Sequence, residues 1–178
     1  MAFIFSKNPL QIQSQKTGKT YFFARADCIS LGETAVGQIA RICDEPEIYD
    51  NVFAAIFKGK RYSEDNARTF TKLVTEGWTN GNRFDWLILH DGEIVGTIGI
   101  KSLDGEIGYW QSRKHPGVMT LVTRSLCSQA KAAGFFSLWA YVKKANTPSI
   151  KVLEGAGFEL DNDLTSKRED TYGYRANL

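Results

Sequence analysis

The chain has 178 residues, enough for one domain with a sizeable buried core. Hydrophobic residues make up 43% and charged residues 24%, which excludes a disordered or fibrous chain. The 22 basic and 20 acidic residues nearly cancel, leaving +2, so no electrostatic footprint exists for wrapping nucleic acid or coating an anionic membrane.

Residues 1–19 are polar and weakly patterned and read as a loose arm within a single-domain chain spanning 1–178. Residues 20–27 (TYFFARAD) are rich in aromatics and predict a first strand. Leu31, Ala35, Ile39 and Ile42 recur at helical spacing, and Pro46 is expected to close that helix. A second helix is predicted over residues 65–78, where Ala67, Phe70, Val74 and Trp78 share a face and Gly81 follows.

Residues 84–90 and 93–100 are apolar runs joined by Asp91-Gly92. That dipeptide marks a two-residue hairpin, since both central positions need positive φ. Asp104-Gly105 predicts another turn, leading into a third strand at 106–111. The period then lengthens: Val118, Leu121, Val122, Ala130 and Ala133 line one side of a helix that Gly134 can cap. Residues 135–142 are apolar on both faces, as in a strand buried between two layers. A helix over 148–154 and closing strands at 158–160 and 172–176 complete the chain. The whole is an α+β fold: an antiparallel meander, then a parallel pair, 106–111 with 135–142, joined by the crossover helix such a pair requires.

No apolar run approaches the ~20 residues of a membrane span, and no signal-peptide pattern opens the chain. Cys28, Cys43 and Cys127 lack CxxC spacing, so they read as reduced thiols of a cytoplasmic protein. His90 and His115 have no companions at metal-site spacing, and no metal is expected. Gly18-Lys19-Thr20 imitates the end of a phosphate-binding loop but precedes a strand instead of opening a helix.

Two segments carry chemistry. In 106–120 (EIGYWQSRKHPGVMT) a strand leads through a basic loop into a helix, whose first N–H groups and dipole favour phosphate. Gly117 offers close backbone approach, and Arg113 and Lys114 add charge, although an ordinary solvated connection has a similar composition. Further on, Asn146-Thr147-Pro148-Ser149 opens the next helix. Proline suits the first helical position, which would make Thr147 the cap and leave the Asn146 amide either for a ligand or for a simple turn.

In order and spacing, these segments resemble the GNAT acyl-CoA N-acyltransferases, particularly the branch of ribosomal-protein N-terminal acetyltransferases. The resemblance covers roughly residues 84–160. It rests on Glu106-Ile107-Gly108-Tyr109-Trp110, Pro116-Gly117-Val118-Met119-Thr120, Asn146-x-x-Ser149 and the run KVLEGAGF at 151–158. The family's pyrophosphate loop usually reads Gln/Arg-x-x-Gly-x-Gly/Ala. Here His115 takes the first glycine position, Ser112 takes the Gln/Arg position, and the loop is shorter.

The resemblance implies a GNAT-like mixed sheet, splayed between the parallel strands, that binds acetyl-CoA and transfers its acetyl group to a primary amine. The acceptor would be a protein N-terminus or a small molecule, and a homodimer is one option for the assembly. A catalytically silent acyl-CoA-binding module is the alternative. Tyr109, Trp110 and Gln111 would line the pantetheine. Arg113, Lys114, His115, Pro116, Gly117, Val118, Met119 and Thr120 would hold the diphosphate, with Asn146 reaching in from the other side. Glu106 is the candidate base for the amine, the alternative being a solvated residue near the turn. The family's usual tyrosine position holds Leu153, so Ser149 is the candidate donor to the departing sulfur, unless it is an ordinary helix residue. Cys127 falls mid-helix and reads as core, so no acyl-enzyme is expected.

Overall fold

In the computed structural model, which describes residues 3–178, the Asp91-Gly92 turn forms as the sequence requires. Asp91 (φ 50) and Gly92 (φ 79) are both left-handed and join β3 (Phe84–His90) to β4 (Glu93–Ile100). The meander continues on both sides. β4 pairs antiparallel with the later strand β5 (Ile107–Gln111), and β3 pairs with β2 (Thr20–Arg25).

The expected loose arm is in part a strand. β1 (Leu10–Gln13) pairs with β2, completing a five-stranded sheet in the order β1-β2-β3-β4-β5. Upstream, Phe5 is buried, 4.8 Å from the ring of Phe84 and 5.1 Å from that of Trp86. Four residues of alternation are too short to announce a strand; the β2 edge supplies the pairing that the local pattern does not.

Both faces of the central strands are covered. Trp86, Ile88, Ile98 and Ile100 face a core closed by Val118, Val122 and Leu126 of α5 (Val118–Ala133) and Leu153 of α6 (Thr147–Gly155). Leu87 and Ile94 face a second core, built with Val36 and Ile39 of α1 (Glu33–Cys43) and Val74 of α4 (Glu64–Asn80). Pro46 does not merely close a helix. It opens a chain of short helical pieces, α2 (Pro46–Ile48), a π-helical turn (Tyr49–Phe53) and α3 (Ala54–Phe57), because its fixed φ suits a first turn.

A second sheet, ordered β6-β8-β7, is formed by β6 (Ser137–Lys143), β7 (Glu159–Asp161) and β8 (Thr171–Asn177); the short helix α7 (Asn162–Thr165) lies between the last two strands. β6 is buried on one face, through Leu138, Ala140 and Val142, whereas Phe136 ahead of it is 92% exposed. The expectation of burial on both faces is thus corrected: composition shows apolar residues but not which layers exist to cover them.

β5 and β6 run parallel, as expected, and meet at one bridge, Glu106 with Trp139. There the Trp139 N–H donates to the Gly105 carbonyl at 2.9 Å. Beyond this point the strands diverge, each belonging to its own sheet.

Candidate active site

The divergence of β5 and β6 leaves a cavity of about 380 Å³. Its walls come from β5 (Tyr109, Trp110, Gln111), the loop into α5 (Arg113, Pro116, Gly117), Met119 in the first turn of α5, and the start of α6 (Asn146, Pro148, Ser149). Lys151 and Val152 extend the α6 wall. The remaining lining is Lys16 from the β1–β2 hairpin and Glu47, Ile48, Asn51 and Val52 from residues 46–57.

Tyr109 and Ser149 form the polar centre. Their hydroxyl oxygens lie 2.6 Å apart, and the phenol also reaches the Ser149 carbonyl at 3.1 Å. Burial pushes the Tyr109 phenol up, with the Ser149 bond opposing it, so the ring carries its proton at neutral pH.

Asn146 is the cap of α6, in place of the predicted Thr147. Its carbonyl accepts from Ile150 N–H at 3.1 Å and its Oδ1 accepts from Ser149 N–H at 3.3 Å. Thr147 is already helical, which puts Pro148 one position deeper than expected. Asparagine is among the best cap residues, so tertiary context was not needed for this choice. The far end of α6 is tied by Arg124 of α5, whose guanidinium donates to the Gly155 carbonyl at 2.9 and 2.6 Å.

The loop residues divide. Gly117 (φ +86) precedes α5 in the left-handed region and lines the cavity. Arg113 lines it too, but its guanidinium pairs with Glu47 and its backbone N–H donates to Glu45 at 3.0 Å. Lys114 and His115 point elsewhere: with Gln38, Arg41 and Glu45 they line a separate cavity of about 280 Å³. The His115 ring contacts the Tyr21 hydroxyl at 3.3 Å. Val118 is fully buried in the core, and Thr120 packs its methyl toward Gly155, so neither contributes to the cavity wall. Trp110 is largely core, with its ring 5.9 Å from that of Phe70.

Glu106 is also placed differently from the expectation. It sits at the vertex where the strands meet, bonded by the Lys101 ammonium at 2.5 Å, and does not line the cavity. Among the described lining residues the only carboxylate is that of Glu47. The sequence concealed it because residues 46–57 fold as short helical pieces without a long amphipathic period. Lys151 and Val152 were legible in principle, lying three and four positions after Pro148 on one helix face. Burial raises the Cys127 thiol to about 11, consistent with a residue that stays protonated in the core. Among the described residues no His, Cys, Asp and Glu cluster can hold a metal ion, and no helix is long and apolar enough to cross a membrane.

A cavity between two diverging strands, walled by the starts of two helices, suits the fold of an acyl-transferring enzyme. The chain belongs to the GNAT acetyltransferase family: the model of the acetyltransferase (GNAT) domain matches residues 31–159. It is accordingly an acetyl-CoA-dependent acyltransferase. A relative described as the uncharacterized N-acetyltransferase p20 of Bacillus licheniformis is 29% identical over 134 residues, covering 67% of this chain and 71% of its own. RimJ of Mycobacterium smegmatis, solved with a CoA disulfide, superposes with a TM-score of 0.73 at 17% identity, covering 95% of this chain and 86% of that one. RimL, a ribosomal L7/L12 alpha-N-protein acetyltransferase solved with coenzyme A, gives 0.74 at 13% identity, covering 95% and 98%. At these identities the two structures show a shared fold.

Proposed function

We propose that the chain moves the acetyl group of acetyl-CoA directly to a primary amine, which is a protein N-terminus or a small molecule. The observation that carries this reading is the hydroxyl pair, Tyr109 and Ser149, 2.6 Å apart in the cavity between the diverging strands. Acetyl-CoA, when bound, supplies the thioester carbonyl that the amine attacks.

The residues present suit that donor. Gln111 Nε2 donates to the His115 carbonyl, which leaves Gln111 Oε1 buried and without a partner. Such an acceptor on the wall complements the amide N–H groups of a pantetheine arm and loses its desolvation penalty when one reaches it. Near Ile48, Val52, Met119 and Val152 the lining is apolar, which suits the stem of a pantetheine arm.

A cationic amine loses two protons on becoming an amide; one ends on sulfur and one in solvent. Glu47 is placed to attract the ammonium and to take its first proton, directly or through water. Glu106 is less suited, because it sits at the strand vertex outside the cavity, bonded by Lys101, whereas Glu47, itself paired with Arg113, lines the cavity. Either hydroxyl can donate in this pair; in the arrangement where Tyr109 donates to Ser149 Oγ, the serine hydrogen is left for an acceptor in the cavity, and the incoming bond polarises it. A departing thiolate is that acceptor. Serine stabilises the charge by a hydrogen bond and keeps its own proton.

The test is thiol release from acetyl-CoA across N-terminal peptides and small amines. Ser149→Ala and Tyr109→Phe are expected to lower kcat about 10–100-fold, the worth of one bond to a charged group, with CoA affinity nearly unchanged. Glu47→Gln is expected to raise KM for the amine and to lower kcat, and Glu106→Gln to do neither. Binding of acetyl-CoA with no thiol release above background for any amine would refute the reading.

A further inference from the structure

We infer that Lys16, at the tip of the β1–β2 hairpin, holds the diphosphate of acetyl-CoA against the start of α5. The inference rests on the reading of the cavity as the acetyl-CoA site and assigns that site a residue outside the loop that carries the family resemblance.

Three observations converge on it. First, the Lys16 side chain lies over Gly117: its Cδ is 3.4 Å from the point where a Cβ on that glycine would stand. Gly117 opens a helix of 16 residues, so the Lys16 side chain and the first N–H groups of α5 lie at the same end of the cavity. Second, the loop's own basic side chains are paired or turned away. Arg113 is paired with Glu47, Lys114 lines the other cavity, and the His115 ring contacts Tyr21. Lys16 makes no ion pair among the described residues.

Third, the hairpin tip is anchored. Ser14 N–H donates to the Lys19 carbonyl at 2.9 Å, and Gly18 N–H donates to the Ser14 carbonyl at 2.8 Å. Lys16 is therefore presented from a fixed turn, with only its side chain left to order on binding. The shorter loop, with histidine where a glycine is usual, offers fewer groups to a diphosphate. A cation brought from a neighbouring strand pair restores the missing charge, and the His115 side chain causes no clash because it is turned to the other cavity.

The experiment is calorimetric titration of the full chain, wild type, Lys16→Met and Lys16→Arg, with CoA, 3′-dephospho-CoA and pantetheine. Lys16→Met is expected to weaken CoA about tenfold and dephospho-CoA by the same factor, the worth of one charge-assisted contact. Pantetheine affinity should not change, Lys16→Arg should recover most of the loss, and the loss should shrink as salt is raised. Unchanged CoA affinity in Lys16→Met overturns the inference. So does an equal loss for pantetheine, which would mean a deformed wall, and so does a loss confined to CoA, which would place Lys16 on the 3′-phosphate. Failure of the wild type to bind CoA at all is a distinct result that overturns the cavity reading and this inference with it.

Discussion

Replacing Asn146 separates two roles that one side chain can play in this cleft. Its Oδ1 accepts from Ser149 N–H at 3.3 Å, which satisfies one of the unpaired donors at the start of α6. Removing a cap costs about 0.5–2 kcal/mol, and the long bond places this one toward the lower half, at about 1 kcal/mol. For a chain of this length that corresponds to a fall in Tm of about 3 °C. Asn146→Ser keeps a capping oxygen and should recover most of the loss, whereas Asn146→Ala should not. Ser149 is the residue capped, so Asn146→Ala should also loosen the Tyr109–Ser149 pair and lower kcat, while Asn146→Ser restores it. Differential scanning calorimetry and thiol-release kinetics on both variants decide the matter. A serine variant as unstable as the alanine variant, or an alanine variant with unaltered Tm, would refute the capping argument.

Two further outcomes follow from burial. Leu126 of α5 is fully enclosed beneath the sheet, so Leu126→Ala should cost about 2–5 kcal/mol in urea unfolding; a loss under about 1 kcal/mol would mean that the core there collapses freely. The phenols of Tyr109 and Tyr62 are both raised by burial, the latter also by Cys43. In the unfolded chain they release protons near ~10 while the folded chain retains them. Their contribution to stability is thus complete below that pH and lost as pH climbs above it. Stability followed by denaturation from pH 8 to 11 should fall, and Tyr109→Phe should flatten part of that fall. An unchanged slope would show that the phenol titrates normally.

Local signals were enough for the centre of the molecule. Asp91-Gly92 fixed a hairpin because few dipeptides tolerate positive φ twice, and β3 and β4 took the bounds that their apolar runs marked. Gly134 ended α5 for the same stereochemical reason, left-handed at φ 102. The Glu106–Gln111 and 135–142 runs, joined by one helix, implied a parallel pair that the structure has at its single bridge.

What the local pattern missed depends on partners distant in the chain. β1 exists because β2 offers an edge, and Phe5 is buried because β3 presents Phe84 and Trp86. Glu106 and Glu47 are chemically equivalent in sequence; only the packing gives the first to Lys101 at the vertex and turns the second toward the cavity. Lys16 reaches Gly117 across about a hundred residues of chain, through a hairpin whose own pattern is too short to read. Sequence by itself determined the β3–β4–β5 meander, its crossover and the loop at the start of α5, since turn stereochemistry and apolar period act between near neighbours. The tertiary structure alone decided which charges face the cleft, because the direction of a polar side chain is set by the ion pairs and hydrogen bonds it finds after the chain has closed on itself.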